Sequence, residues 1–156
     1  MPGYGTLPAT EGSGLLPWSW AEEKLLSSRN YWVVTVWPDG RPHAMPVWGM
    51  WHDMAFWFSS SRPSRKTRNL RADPRCVVTI EDALNPVVVE GTAELLTDPM
   101  DLAKLLALEN TKYVTDYKID MLDQAVSSCF RVRPRWAFGI KDGDFTGSPT
   151  RWEFES

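Results

Sequence analysis

Short segments rich in β-branched and aromatic residues follow one another along this chain, and turn residues separate them. Residues 31–37 form such a segment, and the Pro38-Asp39-Gly40 sequence after it predicts a turn, because proline presets φ and glycine tolerates a positive φ. The same alternation predicts further strands at residues 41–51, 54–60, 75–81, 87–96, 127–133, 136–141 and 150–154. Most of these strands follow one another directly. We therefore expect a mainly β fold of about eight antiparallel strands, arranged as a closed or nearly closed barrel.

Two or three helices are predicted on the outside of this barrel. Residues 17–29 form the first, with Ser19 as N-cap and Glu22 completing a capping box, and with Trp20, Leu25 and Leu26 on its apolar side. A short basic helix is predicted at residues 64–71. Asp98 and the proline after it begin another helix that extends to about residue 110, and residues 115–124 are a further helical candidate.

The composition is that of one globular domain. Residues 15–156 are long enough for a single domain, whereas residues 1–14 are rich in glycine, proline and threonine and are predicted to be a flexible arm. The net charge of −3 argues against a general nucleic-acid-binding protein. No run approaches a membrane span, and the first residues lack the pattern of a signal peptide. Cys76 and Cys129 are expected to be reduced, buried thiols of a cytoplasmic protein.

Residues 62–71, with the sequence RPSRKTRNLR, concentrate positive charge in this acidic chain. Half of the ten residues are basic and none is acidic: the cations are Arg62, Arg65, Lys66, Arg68 and Arg71. The segment follows an aromatic strand and a run of three serines at residues 59–61. A hydroxyl-rich turn at the start of a basic helix favours phosphate binding, because the amides and the cations both attract an anion. A solvated basic surface helix is the alternative.

Motifs for other chemistries are absent from the sequence. There is no G-x-S-x-G, H-E-x-x-H, Walker or G-x-G-x-x-G motif, and neither His43 nor His52 lies in a recognisable triad context. The two cysteines and two histidines do not have the spacing of a zinc site, so no metal site is predicted. A phosphate site without reactive side chains of its own is typical of a cofactor enzyme, in which the cofactor carries out the chemistry. No catalytic side chain is assigned.

Several stretches carry a family resemblance. They are WPDGRPHAMPVW at residues 37–48, WFSSSRPSRKTRNLRADPR at 57–75, VVVEGTAEL at 87–95, FRVRPRWAFG at 130–139 and TRWEF at 150–154. In this order the sequence resembles the pyridoxamine 5′-phosphate oxidase-like split β-barrel proteins, and more closely their actinobacterial flavin/deazaflavin oxidoreductase branch. The resemblance spans about residues 17–154.

The resemblance implies a split barrel that forms a homodimer, with the cofactor bound at the subunit interface. The implied phosphate-binding residues are Ser59, Ser60, Ser64, Arg65 and Lys66, with Arg68 and Asn69 nearby. The strand formed by Met45, Pro46, Val47 and Trp48 would lie along the isoalloxazine ring. The implied residues from the C-terminal strands are Trp136, Arg151 and Trp152, which would approach the pocket from the partner subunit. The alternatives are core or interface packing for the two tryptophans, and a strand without cofactor contact for residues 45–48.

The implied cofactor is the deazaflavin F420 or FMN, since both carry a ribityl phosphate. F420 also has an anionic tail, for which Arg62, Arg68 and Arg71 are candidate partners, and we favour F420. The implied activity is hydride transfer to a small conjugated organic substrate. The Arg-Leu-x-Pro ending of the founding oxidase is missing, which argues against oxidation of pyridoxamine phosphate itself. The alternatives are an FMN-dependent reductase or oxidase, and a non-enzymatic protein that binds a cofactor, or haem through His43, His52, a cysteine or a methionine.

Overall fold

The computed structural model describes residues 4–8 and 10–155, and in this part of the chain eight β-strands and three α-helices are present. In chain order they are α1 (Trp18–Ser27), β1 (Tyr31–Val36), β2 (Pro42–Val47), β3 (Met50–His52), β4 (Ala55–Ser61), α2 (Arg65–Ala72), β5 (Arg75–Ile80), β6 (Val87–Leu96), α3 (Pro99–Tyr113), β7 (Ser127–Gly139) and β8 (Thr150–Glu153). Short 3-10 turns lie at Ile119–Leu122 and Asp142–Asp144. The prediction of a mainly β fold with about eight strands is confirmed.

One antiparallel sheet contains all eight strands, in the order β2-β1-β5-β6-β7-β4-β3 with β8 added to β7. The edge strands β2 and β3 are consecutive in the chain, and only Trp48 and Gly49 separate them. Two residues reach no further than roughly 10 Å from one strand end to the next. The sheet must therefore curl until its two edges are neighbours, which gives a barrel that is split between β2 and β3.

Gly49 is the residue at which the chain crosses this split. A Cβ atom built there would lie 2.1 Å from the Phe56 ring, closer than any side chain allows. Only glycine therefore fits where the backbone passes over the aromatic core.

The barrel interior is filled by alternate residues of the strands. In β1 the buried positions are Tyr31, Val33 and Thr35, in agreement with the period of two expected for a strand. The rings of Phe56, Phe58 and Phe130 stack in sequence at its centre. A second apolar cluster lies under α3 and includes Leu102 and Leu105, two of the leucines predicted for its buried side.

The predicted capping box of α1 is wrong. The helix begins at Trp18, the extended Pro17 is its N-cap, and no side chain caps it. Ser19 therefore lies inside the first turn, where it cannot act as the cap. Leu26 is also exposed rather than on the apolar side, whereas Leu25 is fully buried.

Three other predicted elements differ from the structure. The strand expected at 41–51 is broken into β2 and β3 by the crossing at Gly49. The two strands expected around Pro134 are one strand, β7, since a register shift opposite Glu90 and Gly91 accommodates the proline. The helical candidate at 115–124 is only a short 3-10 turn, because Val114 ends α3 in the left-handed conformation.

The segment before α1 touches the end of the barrel at two points. The Gly14 amide donates to the Gly147 carbonyl at 3.0 Å, and the Leu16 amide donates to Thr150 Oγ1 at 2.9 Å. The flexible arm at residues 1–14 stays a prediction, and part of it, residues 1–3 and 9, lies outside the described residues. Among the helices that the structure describes, none is long and apolar enough to cross a membrane.

Candidate cofactor site

The turn between β4 and α2 is built by serine and threonine hydroxyls. Ser64 is the N-cap of α2, and its Oγ accepts from the Thr67 amide at 3.3 Å and lies 3.0 Å from Ser60 Oγ. The Thr67 hydroxyl donates to the Ser61 carbonyl at 3.0 Å. The cap satisfies only the amide of Thr67, so the amides of Arg65 and Lys66 have no intrahelical acceptor. The short basic helix predicted at residues 64–71 is present as α2, and it begins on amides that can donate to an anion.

Arg65 and Lys66 add positive charge at this helix end. Neither forms an ion pair with a carboxylate among the described residues. The Arg65 guanidinium instead lies 3.8 Å from the Trp37 ring, and its buried Nε has no hydrogen-bond partner. Partial burial lowers the pKa of Lys66, and burial together with the charges of Arg68 and Arg41 lowers that of Arg65. The Asp39 carboxylate raises the Arg65 pKa against these effects but forms no ion pair with Arg65, so an anionic ligand would supply both cations with a direct partner.

Trp37 was not predicted as a site residue. It follows β1 and begins the turn of the β1–β2 hairpin, and its ring contacts the guanidinium groups of both Arg41 and Arg65. The sequence signal for this role is weak, since a tryptophan before a Pro-Asp-Gly turn is equally consistent with hairpin packing.

The other predicted residues in and beside the basic segment differ in whether their side chains already have hydrogen-bond partners. Arg62 Nη1 donates to the Gln124 carbonyl at 2.7 Å, and Arg71 Nη2 donates to Ser128 Oγ at 3.2 Å. Arg68 is exposed, and its side chain makes no hydrogen bond or ion pair with a described residue. Asn69 is fully buried, with its amide donating to Thr35 Oγ1 at 3.0 Å and its oxygen unpartnered. Ser59 is half-buried and pairs with Cys129 across β4 and β7.

The predicted ring-binding strand is β2, at the edge of the sheet. It pairs with β1 only among the described strands, so its outer edge presents backbone donors and acceptors. Met45 and Pro46 are exposed, Val47 is buried and Trp48 is 40% exposed. An open edge next to exposed apolar side chains is suited to a flat ring with polar groups on its rim.

Trp48 is held by the C-terminal end of α3, which sequence reasoning missed. Its ring stacks on Tyr113 at 4.2 Å with an angle of 2° between the planes. The Gly49 amide donates to the Tyr113 hydroxyl at 2.8 Å, and Lys112 Nζ donates to the Gly49 carbonyl at 2.8 Å and to the Tyr31 hydroxyl at 2.7 Å. Burial lowers the pKa of Lys112 to about 8 and raises that of Tyr31. A lysine followed by a tyrosine at a helix end does not indicate, in the sequence alone, that the pair contacts Trp48 and Gly49.

The predicted C-terminal residues lie on two faces of β7 and β8. Trp136 and Arg151 line an outward-facing cleft of about 670 Å³ next to Arg75 and Arg135, with Arg151 over the Trp136 ring at 4.6 Å. Trp152 instead packs edge-on against Trp18 at 5.5 Å. Within one described protomer, no hydrogen bond, ion pair or ring contact joins this set to α2 or β2.

One histidine, His43, lies on the predicted ring-binding strand β2, and both cysteines are buried. His43 Nδ1 is buried without a partner, and its ring lies edge-on to Trp37. Burial raises the pKa of Cys76 to about 12 and that of Cys129 to about 11, so both are unreactive thiols. The described residues contain no cluster of three or more metal-binding side chains.

Comparison with known proteins gives the family. The model of the pyridoxamine 5′-phosphate oxidase family matches residues 21–140, most of the chain. The chain belongs to this family. The predicted membership of the superfamily is thereby confirmed, and the split barrel described above is its fold. None of the curated proteins compared matches the chain.

Three solved structures illustrate the relationship. The hypothetical protein Rv2991 of Mycobacterium tuberculosis is 26% identical with a TM-score of 0.71, and the match covers 81% of this chain and 86% of that one. An F420 reductase is 27% identical with a TM-score of 0.60, covering 72% and 91%. A protein of Clostridium acetobutylicum related to general stress protein 26 is 17% identical with a TM-score of 0.68, covering 87% and 93%, which shows the fold alone.

Proposed function

We propose that this member of the family is an oxidoreductase that holds a flavin-type cofactor by its phosphate at the start of α2. The observation that carries the proposal is the group of uncompensated donors at that point: the amides and side chains of Arg65 and Lys66, beside the Ser60 and Ser64 hydroxyls. The buried, unpartnered Arg65 Nε is a donor that a phosphate oxygen would satisfy. The residues therefore fit a ribityl phosphate.

The protein's contribution would be positioning. Arg65 and Lys66 fix the phosphate by charge-assisted hydrogen bonds, and the open edge of β2 orients the polar rim of the ring. When bound, the cofactor supplies the redox chemistry, transferring a hydride to a small conjugated organic substrate. Met45 and Trp48 would be covered by the ring, which excludes water from that side of the reaction.

F420 is the favoured cofactor. The F420 reductase among the similar structures supports this choice. Arg68 also supports it, since among the described residues it is the one exposed cation of α2 whose side chain forms no hydrogen bond or ion pair. FMN is the second candidate, because the phosphate turn does not distinguish two cofactors that share the ribityl phosphate.

A homodimer with the cofactor at the interface completes the proposal. The cleft lined by Trp136 and Arg151 is open to the outside of the protomer, as a surface for a partner's cofactor would be. Light scattering at micromolar protein concentration is expected to give twice the 17.8 kDa chain mass, and a stable monomer would contradict an interface site.

The cofactor itself is tested by titrating the purified protein separately with F420 and FMN while following tryptophan fluorescence. The chain has nine tryptophans, and Trp48 lies on the proposed ring-binding strand, so a docked ring is expected to quench the emission. Tighter binding of F420 than of FMN supports the favoured cofactor, whereas a yellow protein with releasable FMN supports the second. Absence of quenching by both contradicts the proposed function.

A further inference from the structure

A second cavity, of about 380 Å³, lies between α1, β3 and α3. Its apolar walls are formed by Leu26, Met50, Trp51, Ala107 and Leu108. Lys112 and Lys104 also line it, and no carboxylate does. The residues of the proposed phosphate site are not part of it. The volume is at the lower end of the range for pockets that hold small organic molecules.

The two lysines that line this cavity differ in whether a carboxylate balances their positive charge. Lys104 Nζ lies 3.8 Å from Asp53 and is about half exposed. Lys112 forms no ion pair with a described residue, and the acceptors of its Nζ, the Gly49 carbonyl and the Tyr31 hydroxyl, are both neutral. An ammonium has three N–H groups, so one has no hydrogen-bond acceptor among the described residues, and around it Nζ lies over the faces of the Tyr31 and Tyr113 rings, at 4.5 and 5.4 Å. Burial and the positive charge of Arg29 lower the pKa of Lys112, and the carboxylate of Glu81 acts in the opposite direction without forming an ion pair with it.

We propose that this cavity binds an amphipathic monocarboxylate, with its apolar body against Leu26, Met50 and Leu108 and its carboxylate on the free donor of Lys112. A single available donor on a single uncompensated cation favours one negative charge over a phosphate or a dicarboxylate. The apolar walls favour a hydrocarbon or aryl body of modest size. Such a ligand supplies the counter-charge that the protein lacks at this point.

Ligand binding in this cavity would affect the end of β2, the proposed ring-binding strand. Lys112 bonds the carbonyl of Gly49, the residue after Trp48, and Tyr113 next to Lys112 stacks on the Trp48 ring. A carboxylate that shares the Lys112 ammonium therefore acts on the segment that positions Trp48. The binding site itself does not depend on the proposed cofactor.

The test uses the full chain and a matched pair of probes, octanoate and octan-1-ol, in isothermal titration calorimetry. The two have the same chain length and differ in charge. We expect octanoate to bind at least tenfold more tightly than octan-1-ol, and Lys112→Met to remove this preference. Lys118→Met is the control, because Lys118 is exposed, pairs with Asp116 and does not line the cavity.

A second variant keeps the test decisive if Lys112→Met fails to fold. Ala107→Trp fills the cavity from the exposed side of α3 without changing the contacts of Lys112, and it is expected to weaken octanoate binding at least tenfold. The proposal is overturned if octanoate does not bind the unchanged protein, if octan-1-ol binds equally well, or if folded Lys112→Met or Ala107→Trp protein binds octanoate as the unchanged protein does.

Discussion

Two arginine-rich surfaces of this protein have opposite electrostatics. On the outer face of β6 and β7, Arg131 lies 3.0 Å from Glu94 and 3.5 Å from Asp101, and Arg133 lies 3.4 Å from the same glutamate. At the start of α2, Arg65 and Lys66 have no carboxylate partner among the described residues. Cations whose charge is balanced within the chain contribute to the structure. Cations left unbalanced beside open helix amides are arranged to bind an anion from outside.

The largest expected effect comes from removing both unbalanced cations. Arg65→Ala combined with Lys66→Ala should raise the Kd for the phosphate-bearing cofactor by roughly 100-fold or more, since each charge-assisted hydrogen bond contributes about 1.5–3 kcal/mol. Fluorescence titration at fixed salt measures the effect. Arg133→Ala is the matched control, because that side chain is 62% exposed and its charge is already balanced by Glu94. Equal affinities of the two variants would contradict the contrast between the surfaces.

Loss of the Ser64 cap should have a smaller effect on cofactor affinity, and it should also lower the stability of the protein. Ser64→Ala removes the acceptor for the Thr67 amide, so the free energy of unfolding should fall by about 1 kcal/mol, and cofactor affinity should fall with it. Chemical denaturation and fluorescence titration measure the two quantities. Ser61→Ala is the control, because Ser61 contributes its backbone carbonyl to the turn rather than its side chain. A drop in stability without a drop in affinity would separate the cap from the phosphate site.

Salt should distinguish the two candidate cofactors. Raising the salt concentration should weaken F420 binding more than FMN binding, because the anionic tail adds exposed charge pairs that ions screen. Arg68→Ala should reduce this difference in salt dependence. It should weaken the binding free energy of F420 by about 1 kcal/mol or less, as expected for an exposed contact. Titrations across a salt series measure both slopes. Identical slopes for the two cofactors would leave Arg68 without a role in tail binding.

The smallest expected effect is on the balanced surface. Glu94→Gln should lower the free energy of unfolding by about 0.5–1 kcal/mol, since it weakens the partly exposed pairs with Arg131 and Arg133. Cofactor affinity should not change. Denaturation midpoints and fluorescence titration test the two statements together, and a loss of affinity in this variant would show that the two surfaces are coupled.

Local sequence patterns predicted the strands and turns because they depend on neighbouring residues. The β-branched and aromatic segments became β1 and β4 to β7, and Asp98 caps α3 through the Met100 amide as its position before proline indicates. The patterns failed where a distant residue decides the local structure. Gly49 breaks the predicted strand because the Phe56 ring leaves no room for a side chain.

For the candidate site, the sequence located the phosphate turn but not its surroundings. The serines and the basic helix are contiguous, so their arrangement follows from the helix start alone. The stacking of Trp37 on Arg65 and of Trp48 on Tyr113 joins residues far apart in the chain, and only the closed shape of the sheet brings them together.

Local propensity and charge are enough to specify a β-rich chain with a hydroxyl-rich turn before a basic helix. Which cations are left without an ion-pair partner depends on contacts between distant segments. Arg131 and Arg65 are the same residue type, and they differ because β6 brings Glu94 into an ion pair with one, whereas curling of the sheet brings the Trp37 ring and, among the described residues, no ion-paired carboxylate to the other. Whether a charge is balanced depends on residues that the fold brings close, and local sequence does not contain that information.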